Sequence, residues 1–127
     1  MEIAVEVFAL VNLSIIGLSH VLAPRAWAGF FRLLHQQGEP GVFAVGFMSL
    51  WFGSIIVAFH NVWSGLPMIL TLIGWGQVLK ALIYFTFPAF GLRQIARVPP
   101  ERAHLFVYGG LILLGLTALL AYDLISR

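Results

Sequence analysis

Residues His60 to Lys80 read HNVWSGLPMILTLIGWGQVLK. The opening turn, from His60 to Pro67, holds no Asp, Glu, Lys or Arg. It leads into an apolar helix that carries Lys80, the only basic residue inside a hydrophobic run. An uncharged turn joining two apolar runs is what a short connection between two membrane spans looks like.

Working outward, the composition agrees. Of 127 residues 61% are hydrophobic and only 9% charged, against about a quarter charged in soluble domains. There is no cysteine, which excludes disulfides, thiolate metal sites and thiol nucleophiles. The net charge of +2 is too small to suggest nucleic acid, and the basic residues lie beside hydrophobic runs rather than in one patch. Met1-Glu2-Ile3 is acidic where a signal peptide has a basic start, so the first apolar run is expected to be retained. The expectation is one domain, 1–127, an all-α membrane bundle of four transmembrane helices.

The first span covers about 3–22, long enough for a ~30 Å hydrocarbon core. Pro24 stops it and can begin another helix. The next segment, about 24–37, has Trp27, Phe30, Phe31 and Leu34 at i, i+3, i+4 and i+7, with Arg25, Arg32 and His35 off that stripe. Too short to span, it is expected to lie in the interface as an amphipathic helix, anchored by Trp27, Phe30 and Phe31. Gly38 reads as its C-cap and Pro40 as the start of the second span, about 41–60. Gly46, Ser49 and Gly53 form a small-residue stripe there, open to another backbone. Trp63 in the following turn suits the headgroup level. Span three covers about 67–87, and Pro88 opens a second basic connection, PAFGLRQIARVPPERAH. Span four covers about 105–125, with Gly109, Gly110 and Gly115 as packing positions. The layout of span, proline, short Arg-bearing segment, proline, span occurs twice.

Five of the seven Lys and Arg residues, Arg25, Arg32, Arg93, Arg97 and Arg102, lie in the first and third connections, and none in the second. The positive-inside rule then predicts those two connections in the cytoplasm and both chain ends outside.

This topology sorts the candidate site residues. His20 and His104 share the arginine-bearing side, with His35 in the interfacial segment, while His60 ends span two on the opposite side. A haem b held by two histidines could use His20 and His104, but not His20 and His60, which most of the ~30 Å core separates. The plainer expectation for span-end histidines is bonding to water, backbone or lipid phosphate, with no cofactor. No metal site is expected, because His20, His35 and His104 would have to converge from loosely constrained positions.

Glu2, Glu6 and Asp123 collect on the other side, at a depth near His60. Glu6, about one turn inside the edge, reads either as a proton or cation site or as a solvated headgroup-layer residue. Lys80 lies thirteen residues beyond Pro67, about 20 Å into span three. With Gln77 and Tyr84 it makes one polar side, expected to face the bundle. Lys80 can snorkel its stem toward the headgroups, bond to facing helices, or serve transport. Asn12, Ser54, Thr71 and Thr117 are expected to link helices. No phosphate-binding glycine loop, His-x-x-x-His pair or nucleophile elbow is present, which argues against an enzyme.

The runs GLSHVLAPRAWAGFF, GEPGVF and HNVWSGLPMILTLIGWGQVLKALIYF resemble small four-span bacterial membrane proteins of unassigned function. The layout of Gly17-Leu18-Ser19-His20 before Pro24 is similar to that of DoxX-like proteins. That resemblance implies an inner-membrane location rather than an activity. The functional expectation is a non-catalytic subunit or accessory protein that associates with lipid, other membrane subunits or itself. A small oligomeric transporter using Lys80, Gln77, Tyr84 and Glu6 is the alternative, and a haem- or quinone-binding electron-transfer subunit the third.

Overall fold

A computed structural model describes residues 1–97 and 99–127. Its elements are α1 (Glu2–Leu22), α2 (Pro24–Gln36), α3 (Glu39–Phe59), α4 (Met68–Thr86), α5 (Pro88–Ile95), a single 3-10 turn (Pro100–Arg102) and α6 (His104–Ser126). Four of these, α1, α3, α4 and α6, are long and apolar enough to cross a membrane. Their bounds fall within two residues of those read from the sequence.

The proline signals act as steric rules require. Proline disfavours the helical region for the residue before it. Ala23 accordingly sits at φ −132°, ψ 53° and Phe87 at φ −126°, ψ 69°. Each still donates its N–H to the carbonyl four residues back, Ser19 and Ile83, at 2.7 Å. The chain therefore turns sharply after both α1 and α4 and starts a new short helix at once. The second of these, α5, is a difference from the sequence reading, which saw only a basic connection there. Gly38 also differs: Gln37 ends α2 in a helical conformation, and Gly38, at φ +71°, starts α3 instead. A left-handed φ is what glycine tolerates.

The spans associate chiefly as two antiparallel pairs, α3 with α4 and α1 with α6. Each pair closes on a glycine contact. A Cβ on Gly53 would lie 2.8 Å from the Gly74 carbonyl oxygen, and one on Gly110 would lie 2.6 Å from that of Gly17. A Cβ on Gly46 would lie 3.0 Å from the Phe85 ring, and Ser49 is buried on the same face. The small-residue stripe on span two thus serves α4 of the same chain. Gly109 and Gly115 meet nothing within 4 Å.

Two apolar clusters fill the interior. Val5, Ala9, Leu13, Ile56, Leu70 and Leu120 form one toward the end that carries both termini. Leu34, Val42, Val45, Tyr84 and Ile95 form the other, where α2 and α5 cover the arginine-bearing end. Contacts between α2 and α5 place both Arg-bearing connections at that one end.

Candidate functional site: a buried Glu–His–Thr cluster

His60 is the residue on which the polar interior turns. It caps α3 in an extended conformation, φ −140° and ψ 93°, and its N–H still reaches the Ile56 carbonyl at 2.7 Å. Leaving the helix there carries the ring inward, and its exposure is 0%. Nδ1 lies 3.0 Å from Thr71 Oγ1 on α4, and Nε2 lies 2.9 Å from Glu6 Oε1 on α1. One imidazole therefore joins three of the four spans.

The cluster extends on both sides. The Thr71 hydroxyl donates to the Val62 carbonyl at 2.8 Å and accepts from the Val62 N–H at 3.1 Å, which fixes the turn after His60. On the other side Arg127 donates from Nη2 to Glu6 Oε1 at 2.9 Å. Its Nη1 is 2.9 Å from Oε2, near enough for charge attraction although not aligned for a hydrogen bond. The same guanidinium donates to Asp123 through both Nε and Nη2. Hydrogen bonds to Glu6 first and Asp123 second push the Arg127 pKa above its usual range, so the guanidinium stays charged. Glu6 is only 2% exposed, which replaces the solvated reading of this residue with a paired, interior one. A buried charge in an apolar bundle is costly unless paired and hydrogen-bonded, and here it is both.

The other candidates lie elsewhere. Lys80 is half-buried, with Nζ 5.5 Å from the centre of the Tyr84 ring, a cation–π distance. Tyr84 is buried, and the Gln77 Cβ lies against Gly53 at the α3–α4 crossing. Gln77 and Tyr84 meet neighbouring helices, whereas Lys80 reaches Tyr84 of its own helix and no charged partner joins it among the described residues.

His20 lies at the arginine-bearing end. Its Nδ1 is 2.8 Å from the Ile16 carbonyl of its own helix. Its ring stacks on Trp27 at 4.2 Å and tilts against Phe106 at 5.5 Å. Trp27 donates to Ser19 Oγ at 2.8 Å. His104 is exposed, edge-on to Tyr108, and lines a surface cleft with Pro24, Arg25, Glu101, Ala103 and Val107. No hydrogen bond or ring contact joins His20 to His104 among the described residues. No group of three His, Asp or Glu side chains is arranged to hold a metal ion among them either.

Of the aromatic anchors, Phe30 and Trp63 are exposed, while Trp27 and Phe31 are half-buried in a ring cluster that includes Phe106. Asn12, Ser54 and Thr117 do not link helices. Each bonds to a carbonyl of its own helix, Phe8, Trp51 and Leu113 respectively. Of these four residues, only Thr71 bonds beyond its own helix.

Sequence reasoning placed Glu6, Asp123 and His60 at one depth but did not pair them. Thr71, expected only to link helices, was not joined to this group, although its position one helical turn into α4 after an uncharged turn was the available signal; Arg127 was not joined to it either. Compared with family models, curated proteins and solved structures, the chain matches none.

Proposed function

We propose that this chain is a non-catalytic subunit or accessory protein of a membrane complex or homo-oligomer. We infer its place as the bacterial inner membrane, with the DoxX-like layout, the arginine-bearing connections in the cytoplasm and both ends outside. The observation that carries the subunit reading is the uneven use of small residues. Gly17, Gly53, Gly74 and Gly110 are consumed within the chain. Gly109 and Gly115 are open, on the span least covered by its own chain: 11% of the apolar window of α6 is buried, against at least 28% for the other three. Tyr108, Leu111, Ile112, Leu119 and Tyr122 surround Gly115 on that exposed face. Close helix approach in lipid depends on such small residues.

The absence of cysteine makes the test direct. Gly115→Cys in native membranes is expected to cross-link to a second copy or to one fixed larger subunit. A cysteine that reacts with lipid-soluble label yet never cross-links, in a chain monomeric by native mass spectrometry, would remove this reading. A reporter active only in the cytoplasm, fused to either end, is expected to stay silent; signal from it inverts the orientation.

A second reading, a small oligomeric transporter, draws support from Lys80, which is half-buried with no carboxylate paired to it among the described residues. Flux in liposomes that vanishes in Lys80→Ala would favour it over the subunit role. A Soret band in purified protein, lost in His20→Ala, would favour haem binding instead.

A further inference from the structure

We propose that Glu6 and His60, braced by Thr71, form a proton-binding site that holds one shared proton between His60 Nε2 and Glu6 Oε1. The Thr71 hydroxyl has one hydrogen to give and two lone pairs. The Val62 carbonyl, 2.8 Å away, can only accept, so that hydrogen points to it. The lone pairs then receive the Val62 N–H at 3.1 Å and His60 Nδ1 at 3.0 Å, which requires a hydrogen on Nδ1.

The other ring nitrogen faces Glu6 Oε1 at 2.9 Å in a site without water contact. A neutral ring protonated on Nδ1 would set the Nε2 lone pair against a carboxylate oxygen, a repulsive arrangement in a buried, low-dielectric site. A hydrogen must lie between them. On Nε2 it makes an imidazolium beside a carboxylate; on Oε1 it makes a neutral ring beside a carboxylic acid. Either way the pair holds one proton more than a neutral imidazole and a carboxylate. Arg127, donating to Oε1 and lying 2.9 Å from Oε2, favours the imidazolium–carboxylate form.

The groups around the pair fix how the proton comes and goes. From α1 the only other carboxylate nearby in sequence is Glu2, which is exposed. From α4 the facing group is Thr71, which carries no charge. From α6 come Asp123 and Arg127, already joined to each other. The Arg127 side chain is 38% exposed while those of His60 and Glu6 are 0% and 3%. The guanidinium is thus the contact between the pair and the water on the side of the chain ends. Removing the proton with base turns the His60–Glu6 contact repulsive, so α1 separates from the His60 turn.

The test uses the full chain in lipid nanodiscs with 15N-labelled histidine, the His60 signals being assigned by their loss in His60→Gln. At neutral pH the expected spectrum has both His60 ring nitrogens protonated. A ring protonated on Nδ1 alone also supports the site if Glu6 gives a carboxylic-acid infrared band that Glu6→Gln removes. A ring with a single proton beside an ionised Glu6 overturns the proposal. In Glu6→Gln the amide can itself donate to Nε2, so the ring is expected to keep only its Nδ1 proton. That variant should bind about one proton fewer per chain in a neutral-to-alkaline titration. An imidazolium that survives Glu6→Gln overturns the pairing. The wild-type spectrum decides by itself should that variant fail to fold.

Discussion

Two histidines end membrane spans at opposite ends of this bundle, and they are used in opposite ways. His20, at the arginine-bearing end, bonds to its own helix and stacks on Trp27, so its contacts are mostly apolar and partly open. His60, at the end carrying the termini, uses both ring nitrogens to join α1 to α4 and has no exposed surface. The difference follows from how each helix ends. His20 precedes a proline turn by four residues, is still helical, and keeps its ring along the helix surface beside α2. His60 is itself the residue at which the helix stops, and its extended backbone lets the ring cross into the bundle. A histidine inside the last turn belongs to a surface, whereas one at the cap can become a keystone.

The largest effect that could break this contrast is loss of the buried pair. Glu6→Leu leaves His60 and Arg127 facing an apolar side chain, and removing one partner of a buried pair costs roughly 3–5 kcal/mol. Thermal unfolding in detergent should show that loss. Should Glu6→Leu be no worse than His20→Leu, the two ends are energetically alike and the contrast is wrong. Next comes Thr71→Val, which keeps the volume but strips three hydrogen bonds at once. Buried groups left unpaired cost about 1–3 kcal/mol, and the His60 turn should also exchange amide hydrogens faster.

At the arginine-bearing end, Trp27→Phe should be milder. It keeps a ring against His20 and loses the bond to Ser19, worth about 1 kcal/mol. A drop in stability as large as that of Glu6→Leu would mean the aromatic cluster, not the polar one, secures the bundle. The smallest expected change is Arg127→Gln, because this side chain is partly in water. Its signature should be local: faster labelling of a cysteine placed at Ser126, with the unfolding temperature little altered.

The sequence made the span count and the two-fold layout legible for a simple reason. Hydrocarbon tolerates no unpaired backbone, so long apolar runs must be helices, and proline stops them at Pro24 and Pro88. Depth was legible too, because a helix advances by a fixed rise per residue, and Glu6, Asp123 and His60 were seen at one level. Rotation was not. Whether Glu6 faces headgroups or the interior depends on how α1 turns about its axis, and Gly17 against Gly110 sets that through close backbone contact. The same ambiguity affected the glycines: Gly53 and Gly110 proved to be internal contacts, Gly109 and Gly115 open ones, although all read alike along the chain.

Asn12, Ser54 and Thr117 show the limit from another direction. A polar side chain in a span must find a partner, but a carbonyl one turn back satisfies it as well as a neighbouring helix does. Composition and periodicity therefore determined that four helices span, where they end, and which side gathers the arginines. Only the tertiary structure decided that Glu6, His60, Thr71 and Arg127 meet. Their meeting depends on helix rotation and on the backbone angles of one cap residue, and neither quantity is encoded in a one-dimensional pattern of apolar and polar positions.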